Sequence, residues 1–175
     1  MIGNPDGFKT NQALSLGEIS MTLDIGSLTT DMIRIKELTL IKPEITYEYV
    51  SGKSNLDVLQ RNIERSIGQN NQKTQPSESG KKLVIEHLYV KSATTRVSAE
   101  LLGGEAVSVP IPDLHLKDIG GKSGGVTAGE ATNQILGSIV RQVSTAMTSV
   151  GVNTATNTIQ KSVDSVTQTI KKRFK

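Results

Sequence analysis

Apolar residues along the chain recur in a short unit. Four segments carry them at the first, fourth and sixth positions: Leu16-Gly17-Glu18-Ile19-Ser20-Met21, Ile35-Lys36-Glu37-Leu38-Thr39-Leu40, Ile85-Glu86-His87-Leu88-Tyr89-Val90 and Ile111-Pro112-Asp113-Leu114-His115-Leu116. An apolar pair two residues apart predicts a strand with one buried face. The preceding three-residue step breaks that period, as a β-bulge with one extra residue would. Each unit therefore reads as a bulged strand.

The two middle units match over a longer stretch and read as hairpins. In one, Lys42-Pro43 supplies the turn and Ile45, Tyr47 and Tyr49 alternate along the return strand; in the other, Ser92-Ala93 turns and Val97, Ala99 and Leu101 return. Gly103-Gly104 then turns toward the last unit, where Pro110 and Pro112 predict an edge strand or a bulge.

Helical spacing appears in three places. Ser54-Asn55-Leu56-Asp57 resembles a capping box, and Leu56, Leu59, Ile63 and Ile67 then share a face, predicting a short helix over the sheet. The polar stretch 68–82 reads as a flexible loop, longer than the usual limit of about 12–15 residues. Gly120-Gly121-Lys122-Ser123-Gly124-Gly125 reads as a hinge, followed by Thr127 and Glu130 in capping positions. Ile135, Ile139, Val143 and Met147, flanked by Leu136 and Val140, then form one stripe, and Ile159, Val163, Val166, Ile170 and Phe174 form another after the break at Gly151. Thr, Ser and Asn dilute both stripes with weak helix formers, so each needs a surface to cover it.

Composition narrows the function. Aromatic residues make up 3% of the 175-residue chain, with no Trp and two Phe, so Ile, Leu and Val must fill the core. The chain has no Cys, which excludes disulfides, thiol nucleophiles and thiolate metal sites. From residue 154 onward five basic residues stand against Asp164, a net +4, leaving −1 for the rest of a chain whose total is +3. A near-neutral body without interleaved aromatics lacks the footprint of nucleic-acid binding.

No catalytic constellation can be assembled. Gly121-Lys122-Ser123 resembles the end of a phosphate loop, but the residue five before Gly121 is Leu116 rather than Gly. His87 and His115 are the only histidines, and their spacing matches no metal-ligand or acid-base motif. Glu18, Glu37 and Asp113 recur at one position of the repeated unit, and a solvated face explains them. The expectation is a chain that is not an enzyme and uses no cofactor and no metal.

One resemblance adds to this. Ile2-Gly3-Asn4-Pro5-Asp6-Gly7-Phe8-Lys9-Thr10, Ile33-Arg34-Ile35-Lys36-Glu37-Leu38, Pro43-Glu44-Ile45-Thr46-Tyr47-Glu48, Ser54-Asn55-Leu56-Asp57, Leu83-Val84-Ile85-Glu86-His87-Leu88-Tyr89-Val90 and Val109-Pro110-Ile111-Pro112-Asp113-Leu114-His115-Leu116 occur in that order. Together with Leu16-Gly17-Glu18-Ile19 they resemble the short AsmA-like (AsmA/TamB-related) envelope proteins of Gram-negative bacteria, over roughly residues 2–147. The resemblance implies a periplasmic protein associated with the inner membrane through an N-terminal helix, and a curved sheet with an apolar groove. This chain departs from that pattern in having no such helix ahead of Ile2.

The expected fold class is α+β: a repeat-built, mainly antiparallel curved β-sheet of bulged strands, with one short covering helix and a C-terminal helical tail. The β-rich unit would span 1–119, the hinge 120–126 and two amphipathic helices 127–175. The expected function is a contribution to outer-membrane or lipid homeostasis through an apolar groove of Ile35, Leu38, Leu40, Ile85, Leu88 and Val90. Val166, Ile170, Lys171, Lys172, Arg173 and Phe174 would contact the membrane. Expected partners are phospholipid or a membrane surface, another copy of the chain or an envelope protein, with no nucleic acid. The alternative is a membrane-associated scaffold that binds a protein partner and carries no lipid. An apolar sheet face left bare by the helices would favour lipid, and a covered one the scaffold.

Overall fold

The computed structural model describes residues 1–73, 80–98 and 106–149. The described residues form an α+β fold, with open mixed sheets and two α-helices. The strands are β1 (Ile2–Gly3), β2 (Gln12–Ser15), β3 (Glu18–Leu23), β4 (Met32–Ile41), β5 (Glu44–Tyr47), β6 (Tyr49–Val50), β7 (Lys53–Ser54), β8 (Lys82–Lys91), β9 (Thr94–Val97), β10 (Val107–Pro110) and β11 (Leu114–Ile119). The helices are α1 (Asn55–Lys73) and α2 (Ala128–Ser149). Two main sheets run in the orders β1-β2-β5-β9-β10 and β11-β8-β4-β3.

The expected hairpins do not form, because β4 does not fold back at Lys42-Pro43. It continues into the other sheet as β5, just as β8 continues through Ser92-Ala93 into β9. Lys42 and Ser92 sit at matching corners with φ of 51° and 53°, a left-handed conformation that turns the strand without returning it. Pairing survives the corner. β4 runs parallel to β8, from Met32 beside Lys82 to Ile41 beside Lys91, and β5 parallel to β9, from Glu44 beside Thr94 to Tyr47 beside Val97. Between the two stretches Lys42 N–H donates to Lys91 O at 2.8 Å and Thr94 N–H to Pro43 O at 3.0 Å. The outer pairs, β3 with β4, β11 with β8, β2 with β5 and β10 with β9, are antiparallel.

The recurring three-residue step has more than one cause. Between Ile35 and Leu38 it is a true bulge: Thr22 faces Glu37 but Leu23 faces Ile35, so Lys36 is the extra residue. Between Leu16 and Ile19 it is a corner, where β2 of one sheet passes to β3 of the other. Gly17 is needed there, since a Cβ would lie 2.9 Å from Ile41 O and 3.1 Å from Lys42 O. The step from Ile111 to Leu114 is a corner of the same kind, between β10 and β11. As Pro110 predicts, β10 lies at a sheet edge.

The helices differ from expectation in length and attachment. Helix α1 extends through Gly68 to Lys73, into the stretch read as a loop, because Gln and Lys are adequate helix formers and the next proline is Pro76. Ser54 Oγ accepts from Asp57 N–H at 3.1 Å and caps its start. At α2 the box is complete: Thr127 N–H donates to Glu130 Oε2 at 2.8 Å, and Glu130 N–H to Thr127 Oγ1 at 3.2 Å.

The segment 120–126, read as a hinge, ends in a bridge to β8. Leu83 and Val126 exchange both backbone hydrogen bonds, at 2.7 and 3.0 Å, which ties the helix entry to β8. The stripe of α2 then joins the sheet core: Leu136, Ile139, Val140, Val143 and Met147 pack in one cluster with Leu56 and Leu59 of α1 and with the inner faces of both main sheets. The break at Gly151, the second stripe from Ile159 to Phe174, Ala99, Leu101 and the Gly103-Gly104 turn lie outside the described residues.

Leu88 is fully buried at the centre of this cluster. Truncating Leu88 to Ala should cost about 2–5 kcal/mol, whereas Ile19→Ala, at 56% exposure, should change stability by less than about 0.5 kcal/mol. Urea denaturation of the two variants measures both.

Candidate interaction surface

The six residues expected to line a groove lie instead on the covered side of the sheet. Ile35, Leu40, Ile85, Leu88 and Val90 are buried, and Leu38 is half-buried against the same cluster. Helix α2 contacts β8, β10 and β11. The pairs Ile35 with Ile85, Leu38 with Leu88 and Leu40 with Val90 are register neighbours on β4 and β8, so the two triplets do meet. What the spacing could not reveal is that these residues share one core cluster with apolar residues of both helices.

The same apolar face continues beyond the helices onto β3. Ile19 faces Leu40, Met21 faces Leu38 and Leu23 faces Ile35. Ile19 and Met21 are 56% and 52% exposed, and just after them Ile25 and Leu28 are exposed in the 3₁₀ turn Ile25–Thr29. β3 is also the last strand of its sheet, so one side of its backbone pairs with no strand among the described residues. An unpaired edge and a bare apolar strip thus coincide on one six-residue strand.

The opposite face of that sheet is polar. His87 Nδ1 and His115 Nε2 are 3.1 Å apart, and the Tyr89 ring stacks on His115 with centroids 4.2 Å apart. Lys91 Nζ sits 5.1 Å from the centre of the Tyr89 ring. Partial desolvation, then Lys117, then His87 lower the His115 pKa. The acids expected to recur as a ladder are dispersed: Glu18 and Glu37 are exposed on β3 and β4, while Asp113 Oδ1 accepts the Ser92 N–H at 2.8 Å beside its corner. Among the described residues no group of three or more His, Cys, Asp or Glu could hold a metal ion. Nor is any described helix long and apolar enough to cross a membrane. Val166, Ile170, Lys171, Lys172, Arg173 and Phe174 lie outside the described residues.

Sequence reasoning missed a buried polar cluster that fixes the N-terminal loop. The Glu48 carboxylate, 2% exposed, accepts from Asn4 Nδ2, Lys9 N–H and Thr10 N–H, each at 2.9 Å, and from the Thr10 hydroxyl. Asn55, fully buried, closes the ring: its Oδ1 accepts from Glu48 N–H at 2.9 Å and its Nδ2 donates to Asn4 Oδ1 and Thr46 O. Burial alone would raise the Glu48 pKa, but the Thr10 hydroxyl, the two backbone N–H groups and the Asn4 amide outweigh it and hold the pKa below its ordinary value. With every carboxylate contact made by a donor of the chain itself, the cluster is structural. The only signal in the sequence was Asn55 inside the capping motif.

Comparison with protein-family models, with curated proteins and with solved structures finds no match to this chain.

Because the folded pKa of Glu48 is depressed, its contribution to stability is complete above the unfolded value of about 4.3 and is lost as the pH falls through the lower folded value. Glu48→Gln should therefore lower stability at neutral pH and flatten its decline below about pH 4. Asn55→Ala should cost about 1–3 kcal/mol by leaving buried partners unsatisfied. Thermal melts from pH 3 to 7 read both effects.

Proposed function

We propose that this chain is a non-enzymatic scaffold of the bacterial envelope that binds a protein partner by adding the partner's strand to β3. The observation that carries this reading is the coincidence on β3 of a free backbone edge with exposed Ile19 and Met21. Strand addition draws affinity from main-chain hydrogen bonds and specificity from alternate side chains, and β3 offers both on one strand. Coverage of Ile35, Leu40, Ile85, Leu88 and Val90 argues against an acyl-chain groove along the sheet centre.

The envelope setting, periplasmic and against the inner membrane, comes from the AsmA-like resemblance. That resemblance also suggests a sheet built from a repeated unit. The constant offset of 50 residues between register partners, held through the corner from Ile33 with Leu83 to Tyr47 with Val97, supports it. The net +4 after residue 153, with Val166, Ile170 and Phe174 spaced along one stripe, would attach the scaffold to an anionic membrane.

A photo-crosslinking residue in place of Ser20 should give, in cells of the source bacterium, a discrete protein adduct whose partner peptide maps to an extended segment. The adduct should disappear when Ile19→Lys and Met21→Lys are added. Adducts formed with lipid alone would overturn the scaffold reading in favour of an acyl-chain site.

Membrane attachment is a separate matter. Flotation with vesicles containing phosphatidylglycerol should be strong at low salt, weaken as salt rises, and vanish when residues 154–175 are deleted. Flotation that survives the deletion would move the membrane contact to the sheet.

A further inference from the structure

The opposite end of the β11-β8-β4-β3 sheet carries a second surface of different chemistry. A cleft of about 350 Å³ runs between the edge strand β11 from Leu116 to Ile119, α1 at Gln60, and α2 from Asn133 to Arg141. Three of its features lack a counterpart among the described residues. Past β11 no strand pairs with the backbone. Asn133 Oδ1 is buried without a hydrogen-bond partner. The guanidinium of Arg141, exposed at the rim, donates to Ser138 Oγ at 2.9 Å and meets no carboxylate.

A fourth feature concerns space. Gly137 stands in the middle of α2, where glycine is a poor helix former. A Cβ there would lie 3.3 Å from Gln60 Nε2 and 3.9 Å from Arg141 Nη1, so a larger side chain would intrude on the cleft.

We infer that this cleft binds an extended, acidic segment of a partner protein, added as a strand to β11 with a carboxylate on Arg141. One occupant answers both the open edge and the unpaired charge. Its backbone pairs with the β11 edge and its carboxylate meets Arg141. A small anion would satisfy Arg141 but leave the strand edge unpaired. This site goes beyond the β3 reading and stands without it.

A phage-displayed library of linear heptapeptides, selected on the immobilised full chain, tests the inference. Enriched peptides should carry Asp or Glu and should bind at least about ten-fold more weakly to Arg141→Gln, the scale set by one charge-assisted hydrogen bond. Gly137→Leu should abolish their binding, while the Ile19→Lys, Met21→Lys double variant should bind them unchanged. Arg141 is exposed, so its variant keeps the test meaningful if Gly137→Leu fails to fold. The inference is overturned if no acidic peptide is enriched, if the enriched peptides ignore Arg141→Gln, or if they are lost with the β3 variant instead. Displacement of the peptides by millimolar inorganic phosphate alone would reassign the cleft to a small anion and overturn it as well.

Discussion

The architecture depends on one parallel pairing, that of β4 and β5 with β8 and β9. It joins the halves of both main sheets at once, because each of the two central strands passes from one sheet to the other at Lys42 or Ser92 while keeping its neighbour. Parallel neighbours cannot be linked by a tight turn; the connection must cross over the sheet and usually contains a helix. Helix α1 is that connection, and the apolar stripe that docks it supplies Leu56 and Leu59 to the core. Once β4 and β8 lie side by side, β3 and β11 are forced to the two ends of the sheet.

The corners show how backbone conformation and core packing are coupled. Lys42 and Ser92 are not glycines, yet both hold a left-handed φ, which costs on the order of 1–2 kcal/mol each. The return is that Pro43 and Ala93, one residue on, are buried at the bend, and that Ile45 and Val97 reach the same cluster as Leu40 and Val90. Glu48 and Asn55 perform the equivalent task in polar terms. They hold the loop from Asn4 to Thr10 against β5 and the start of α1.

Much of this was legible in local spacing. The strands around Ile35 to Leu40 and Ile85 to Val90, the bulge at Lys36, the edge position near Pro110 and the two capped helix starts follow from residue order, since each is settled by neighbours within a few positions. Pairing partners were not legible. Lys42-Pro43 has the chemistry of a hairpin turn and equally that of a strand changing sheets, and only the neighbour fifty residues away distinguishes them. The Glu48 cluster escaped for a related reason. Its members at 4, 9, 10, 48 and 55 are single polar residues brought together by the fold, and such residues leave no periodicity. The surface at β3 was hidden by its own likeness to the buried units, because Ile19 and Met21 keep the spacing of core residues while lying where the sheet ends.

Open sheets must end somewhere, and how each end is treated separates packing from interaction. Natural sheets blunt their edges with short strands, proline, charge or a local kink. Here β1 is two residues long, β10 carries Pro110, and β11 carries Lys117 and then Asp118 with φ of 59°. The protection of β11 is selective, since its charges and the neighbouring α2 admit only a strand whose chemistry answers them. β3 has no comparable device: from Ile19 to Leu23 it has no charge and no proline, and its one acid, Glu18, lies at the corner end. Left bare, such a strand invites indiscriminate association, which is why the proposed partner is placed there. The core gains little from Ile19 and Met21, which are more than half exposed, so the stability of the fold does not account for them. The proposed partner strand would.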